Sequence, residues 1–114
     1  MIETVYLGRD NAIDLVLIAD DAPVSLAALS RAVLQLGRTA TIDSGVVGWG
    51  SGQPFDPTIS GTYRGAPVEV LRLTLGAESI PPGRYGARLV VYDAGHADGL
   101  VWSDDQMVFH VKAA

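Results

Sequence analysis

The stretch that decides the fold is IPPGRYGARLVVYD, residues Ile80–Asp93. Two prolines and a glycine make a loop, and the run that follows alternates as a strand does, with Tyr85, Ala87, Leu89 and Val91 on one face. A tyrosine that starts a strand after a loop between two sheets can bury its ring and donate its hydroxyl to a loop carbonyl. This tyrosine corner is typical of immunoglobulin-like sandwiches. Tyr85 is therefore predicted to have a structural role.

Period-two alternation recurs along the chain, in AIDLVLIAD, RAVLQLG, VEVLRLTLG and DQMVFHVK. Turn-forming residues separate these runs: ADDAP is predicted to be a turn, and DAGHADG a hairpin loop of several residues. SLAALS can form one helical turn with Ser25 as its N-cap. The sequence thus predicts an all-β protein, an immunoglobulin-like antiparallel β-sandwich of about seven or eight strands with at most one short helical turn. With 114 residues it is expected to be one domain spanning 1–114.

Residues 44–67, SGVVGWGSGQPFDPTISGTYRGAP, break this pattern, because six of the 13 glycines and three of the six prolines fall there. The segment is predicted to be an insertion between strands. We expect a short strand around Val46–Trp49, a loop through Pro57 and a second strand near Thr58–Tyr63. Aromatic residues are enriched at protein interfaces. The predicted partner-binding residues are the three aromatics of this segment: Trp49, Phe55 and Tyr63.

Composition excludes several classes of function. Cysteine is absent, which rules out disulfides, thiolate metal sites and a cysteine nucleophile. The net charge of −5, with seven arginines and one lysine scattered along the chain, argues against a nucleic-acid partner. The first residues show no signal peptide, and no apolar run approaches the roughly 18 residues of a membrane span. A soluble protein with no membrane partner is expected.

Candidate catalytic and metal sites fail on spacing. GWGSGQ lacks the outer glycines of a nucleophile elbow around Ser51, and its glycines do not form a dinucleotide-binding motif. His96 stands beside Asp93 and Asp98, but one imidazole is too few for zinc, and the spacing is not that of a calcium loop. His110 is predicted to face solvent. No catalytic residue, metal or cofactor is predicted, and the protein is not expected to be an enzyme.

The remaining polar and aromatic candidates are also interpreted structurally. The acid pairs Asp20-Asp21 and Asp104-Asp105 are sequential, so each pair splits across two faces or lies in a turn, and neither is predicted to be an acid/base dyad. Trp102 is assigned to the core or an interface. Trp49 is the better candidate for contact with a partner. An alternative is a carbohydrate- or host-surface-binding module in which Trp49 and Tyr63 stack on sugars.

Two regions resemble the small immunoglobulin-like domains of tailed-phage and prophage structural proteins. NAIDLVLIADDAPVSLAALSRAVLQL resembles their opening strand, acidic turn and second strand, with Ala22 in place of a glycine, Ser25 in place of an acid, and matches at Asp21, Pro23, Val24 and Leu26. IPPGRYGARLVVYDAGHADGLVWSDDQMVFHV resembles their final hairpin. Its matching residues are Pro82, Gly83, Tyr85, Val91 and Asp93.

These domains are similar to the N-terminal module of phage baseplate upper proteins. The resemblance implies a non-enzymatic virion structural protein, tail- or baseplate-associated, that assembles in the bacterial host cytoplasm. Its expected partners are other virion or tail proteins, and assembly with further copies of itself into a homo-oligomer is a second possibility. Exposed strand edges and the 44–67 segment would make the contacts. A glycan is the partner implied by the alternative.

Overall fold

The computed structural model describes residues 2–113, except for the side chains of residues 103–106. Within this range the chain forms one four-residue helix, α1 (Ser44–Val47), and ten strands. The strands are β1 (Ile2–Tyr6), β2 (Ile13–Leu15), β3 (Ile18–Ala19), β4 (Ala22–Pro23), β5 (Leu29–Leu36), β6 (Ala40–Asp43), β7 (Phe55–Tyr63), β8 (Ala66–Leu73), β9 (Gly83–Asp93) and β10 (His96–Lys112).

The strands form a sandwich of two main sheets. The five-stranded sheet has the order β1-β10-β9-β5-β6, the three-stranded sheet has the order β2-β8-β7, and β3 and β4 form a separate hairpin. The predicted all-β sandwich is confirmed. One pairing departs from the prediction, because β1 runs parallel to β10 rather than antiparallel.

The core lies between the two sheets and is built from the residues that the alternation predicted. Leu71 and Leu73 of β8 and Leu34 and Leu89 of the facing sheet have almost no exposed surface and belong to one hydrophobic cluster. Successive side chains of a strand point to opposite faces, so each of these strands contributes every second residue. The alternate residues of the same strands point outward, where charged side chains can face solvent or a partner.

The tyrosine corner is present. The loop of residues 74–82 crosses from the three-stranded to the five-stranded sheet, and the hydroxyl of Tyr85 donates a hydrogen bond to the Pro81 carbonyl at 2.5 Å. The ring is half-buried and packs against the core. The structural role predicted for Tyr85 is confirmed, because its side chain ties the start of β9 to the crossing loop.

Two of the hairpins are closed by two-residue turns with positive φ at both residues. Asp20 and Asp21 join β3 to β4 with φ values of 52° and 61°, and Arg64 and Gly65 join β7 to β8 with values of 51° and 79°. Positive φ at both central residues defines the type I′ turn, whose twist matches that of a hairpin. The aspartate pair is therefore a turn, as predicted.

The segment at Ser25 forms a turn rather than a helix. The Ser25 hydroxyl accepts a hydrogen bond from the Ala27 amide at 3.3 Å, and the Leu29 amide donates to the Leu26 carbonyl at 3.1 Å. The Glu69 carboxylate of β8 accepts the Leu26 amide at 2.5 Å. Strand β5 then starts at Leu29, so tertiary contact ends the turn before a helix can form.

The strand predicted around Val46–Trp49 is wrong. Ser44–Val47 is α1, because the Asp43 carboxylate accepts the Gly45 amide at 2.8 Å as an N-cap and the Gly48 amide donates to the Ser44 carbonyl at 2.9 Å. The buried Ser44 hydroxyl accepts the Ala32 amide at 2.9 Å, beyond the end of β6. The helical turn thus satisfies main-chain groups that a strand would have left open.

Two other boundaries differ from the prediction. The glycine-rich loop ends at Pro54, so residues 44–67 supply all of β7 and the start of β8 rather than an insertion between strands. In the last hairpin, β10 already starts at His96, which leaves Ala94 and Gly95 as the turn and a strand irregularity between His96 and Leu100. The side chains of Asp104 and Asp105 lie outside the described residues.

Candidate functional site

The three aromatic residues predicted to bind a partner lie in different surroundings. Phe55 has 0% of its surface exposed and belongs to the core. Trp49 is half-buried and packs against the same core, and its main chain forms an isolated parallel β-bridge with Phe55. Tyr63 is half-buried at the far end of β7, where the Arg64 guanidinium lies 5.0 Å from its ring centre. Phe55 therefore offers no surface to a partner, and only Trp49 and Tyr63 remain accessible.

Trp49 and Tyr63 do not form one aromatic platform. Trp49 is beside Phe55 at the first residue of β7, whereas Tyr63 is the last residue of that strand. Eight steps along a strand cover about 26 Å at about 3.3 Å per residue. A single sugar ring or short glycan would not span both rings. The geometry therefore does not favour the carbohydrate-binding alternative in the form predicted.

The first part of β7 is held by the buried carboxylate of Asp56. It accepts hydrogen bonds from the Gly52 amide at 2.9 Å, the Thr58 amide at 2.9 Å and the Thr58 hydroxyl at 2.6 Å. These bonds, the Thr58 hydroxyl first, hold the pKa of Asp56 below its ordinary value, because they stabilise the ionised form. The clamp joins the glycine-rich loop to the strand and fixes where β7 begins.

The glycine-rich loop also covers the outer side of β7 at this end. The Phe55 amide donates to the Gly48 carbonyl at 3.2 Å, and the Gly50 amide donates to the Phe55 carbonyl at 2.9 Å. Beyond the irregularity between Asp56 and Ile59, β7 pairs only with β8 among the described residues. The outer side of residues 58–63 is thus a free sheet edge.

Main-chain groups on this edge can be assigned from the register. The Arg64-Gly65 turn makes Tyr63 and Ala66 a hydrogen-bonded pair, so Thr62 opposite Pro67 is a non-hydrogen-bonded pair. Pro67 has no N–H to donate, which agrees with this alternation. The N–H and C=O of Thr62, and two residues earlier those of Ser60, therefore point away from β8. They are available to another strand.

The other sheet edges are shorter or carry a charge. β2 has three residues and includes Asp14, β6 has four and ends at Asp43, and β1 has five and includes Glu3. Residues 58–63 of β7, TISGTY, contain neither charge nor proline. Charged side chains, prolines and short length are the usual protection of an edge. We name residues 58–63 the β7 edge.

The other candidate residues from the sequence are spread over several places in the part of the structure whose side chains are described. His96 and Asp93 form a pair at the exposed hairpin tip, with 2.8 Å between Nδ1 and Oδ1. Among the described side chains, no three His, Asp or Glu residues are placed to hold a metal. Ser51 is exposed in a turn, and His110 is half-buried on β10. Trp102 packs against the core, as expected.

Sequence reasoning missed a cluster of basic residues. On β9, Arg84 and Arg88 alternate with the buried Ala87 and Leu89, so both project from the outer face of the five-stranded sheet. The signal was present, because the residues between Tyr85, Ala87 and Leu89 must point the opposite way. Alternation along β9 therefore places both arginines on one face.

The part of the chain that the structure describes contains no helix long and apolar enough to cross a membrane. Comparisons with known proteins identify no relative. No protein-family model matches this chain, and neither does any curated protein or any solved structure.

Proposed function

We propose that this protein is a non-enzymatic assembly module that joins a second copy of itself by strand pairing along the β7 edge. The observation that carries the proposal is the uncharged outer side of residues 58–63, where the main-chain groups of Ser60 and Thr62 have no strand partner among the described residues. An unpaired edge is a template for another strand.

A two-fold arrangement suits this edge. Two antiparallel copies of β7 would join the three-stranded sheets into one sheet of six, and each copy would contribute the same residues. The exposed side chains of Ser60 and Thr62 are small and uncharged, so they place no like charges opposite each other. The Asp56 clamp limits the contact to the second part of the strand, since the glycine-rich loop covers the first part.

The resemblance to phage immunoglobulin-like domains supports a proposal about the assembly in which this module acts. We propose that it is a tail- or baseplate-associated protein of a phage or prophage virion, formed in the host cytoplasm. Other virion proteins would be its further partners. The residues that carry the resemblance are turn and core residues, and they agree with the sandwich that the chain adopts.

The test is the molar mass of the protein by light scattering over a wide range of concentration. The unaltered chain is expected to form a dimer as concentration rises, and Thr62→Lys is expected to stay monomeric because it places like charges on the pairing edges. Thr39→Lys is the matched control, since Thr39 is exposed in the β5–β6 turn of the other sheet. A strict monomer, or a dimer that Thr62→Lys leaves intact, would refute pairing at this edge.

A further inference from the structure

A polar groove lies on the outer face of the five-stranded sheet, on the opposite side of the molecule from the three-stranded sheet. Its volume is about 600 Å³, and its lining residues are Gln35, Gly37, Arg38, Gly86 and Arg88. This is within the range of roughly 300–1,000 Å³ that ligand pockets occupy. Gly37 and Gly86 meet through a hydrogen bond of 2.9 Å from the Gly37 amide to the Gly86 carbonyl. Because both lack side chains, the floor is bare main chain.

Arginine side chains border this floor on two sides. Arg88 is on β9 directly opposite Gln35 of β5, and Arg38 is in the β5–β6 turn. Arg84 is on the same face of β9 beyond Gly86, about 13 Å from Arg88 at about 3.3 Å per residue. All three arginines are exposed.

None of these three arginines has a carboxylate partner among the described side chains. Among all described side chains, the arginines that form ion pairs are Arg31, with Asp43, and Arg72, with Asp14. Of the outer positions that the strand registers assign, Asp43 is the only described carboxylate, and it is already engaged by Arg31 at 2.6 Å. Among the described side chains, the groove arginines therefore have no carboxylate partner, although the whole chain carries −5.

We propose that this groove binds an acidic segment of a partner protein, with carboxylates on Arg38 and Arg88 and the segment lying across the glycine floor. Guanidinium groups match carboxylates in bidentate hydrogen bonds, and Gln35 adds an amide that can bond the main chain of the segment. This inference does not rest on the β7 edge, which is on the other sheet.

Charge favours a short acidic segment over the other anionic occupants. A nucleic acid presents phosphates well beyond the groove, where the acidic remainder of this chain would repel them. A second copy of the chain would have to present one of its own acidic turns, whose backbone is already fixed by the fold and cannot extend across the glycine floor. A short partner segment with clustered Asp or Glu would contact only the groove and would avoid the acidic remainder of the surface.

The test is to titrate the full chain with a capped hexaglutamate peptide at low salt. Binding is followed by NMR through the backbone amide signals of Gly37 and Gly86. We expect saturable shifts at these two amides and no shifts with a capped hexaglutamine peptide. The double variant Arg38→Gln/Arg88→Gln is expected to weaken binding about tenfold, because both charged hydrogen-bond donors are lost.

The matched control is Arg9→Gln/Arg64→Gln, which has the same net charge but leaves the groove intact. It is expected to bind hexaglutamate as the unaltered chain does. Equal weakening by both double variants would overturn the proposal, because net charge alone would then explain binding. Absence of binding at low salt would also overturn it, and so would tighter binding of a thymidine hexanucleotide than of hexaglutamate at the same amides.

Discussion

The arginines of β8 and β9, one strand from each main sheet, are used differently. In the three-stranded sheet, Arg72 of β8 is opposite both Asp14 of β2 and Asp56 of β7, and it holds Asp14 in two hydrogen bonds of 2.8 and 3.0 Å. In the five-stranded sheet, Arg84 and Arg88 have no such partner among the described side chains. Arg72 thus contributes to strand pairing, as Arg31 does with Asp43 in the five-stranded sheet. Arg84 and Arg88, in contrast, have their charge available for binding.

Acid is expected to act on the paired carboxylates together and to have the largest effect. Hydrogen bonds from Arg72, Arg31 and Thr58, respectively, lower the pKa values of Asp14, Asp43 and Asp56 below the ordinary 3.8. A lowered folded-state pKa gives stability that is present above the unfolded-state pKa and is lost as pH falls through the folded-state pKa. Thermal unfolding from neutral pH to below pH 3.8 should show a falling Tm in the acid range. A Tm that stays constant there would contradict these pairings.

Asp56→Ala is expected to be the most destabilising single change of this group. The variant loses the acceptor of three hydrogen bonds and leaves the Gly52 and Thr58 amides without it. We expect the free energy of unfolding to fall by about 2–3 kcal/mol in chemical denaturation. Asp56→Asn keeps one acceptor oxygen and should lose less. Equal losses in the two variants would show that the clamp does not depend on the acceptor.

Tyr85→Phe removes a neutral link between β9 and the loop that precedes it, and is expected to cost about 0.5–1.5 kcal/mol. The lost bond is the one from the Tyr85 hydroxyl to the Pro81 carbonyl. Because this bond involves no titrating acid, the loss should be the same at neutral pH and in mild acid. Denaturation at both pH values measures it, and an unchanged stability would argue against the corner.

The smallest effects compare one arginine from each sheet. Arg72→Ala should lower the free energy of unfolding by about 0.2–1 kcal/mol, the usual range for an exposed ion pair. Arg88→Ala should change it by less than about 0.5 kcal/mol, because it breaks no described ion pair. Chemical denaturation of both variants measures the difference. A larger loss in Arg88→Ala would mean that the groove arginine is structural.

The fold was largely predictable from the sequence because burial in a two-sheet sandwich imposes period-two alternation. Ile13, Leu15 and Leu17 are buried as that pattern predicts. The helical turn at Ser44 was not predicted, because, besides its local Asp43 N-cap, it involves the hydrogen bond from the Ala32 amide of β5 to the Ser44 hydroxyl, which alternation does not show. Phe55 was assigned to a partner because nothing local distinguishes an aromatic in a glycine-rich segment that packs inward from one that points outward.

The candidate sites were less predictable than the fold. The β7 edge depends on which strand ends a sheet, and that follows from strand order rather than from residue type. The groove depends on Arg38 and Arg88 meeting across the pairing of β5 with β9. Alternation alone could have placed Arg84, Gly86 and Arg88 on one face, but not the turn arginine beside them.

The parallel pairing of β1 with β10 has a mechanical consequence. The pairing runs from Ile2 opposite Val108 to Tyr6 opposite Lys112, so the two ends of the described chain leave opposite ends of this strand pair. Tension between them acts along the strands and loads all their hydrogen bonds at once, instead of peeling them apart singly. Stretching of single molecules between the two ends should therefore show one abrupt rupture at high force, because the strand pair is loaded in shear.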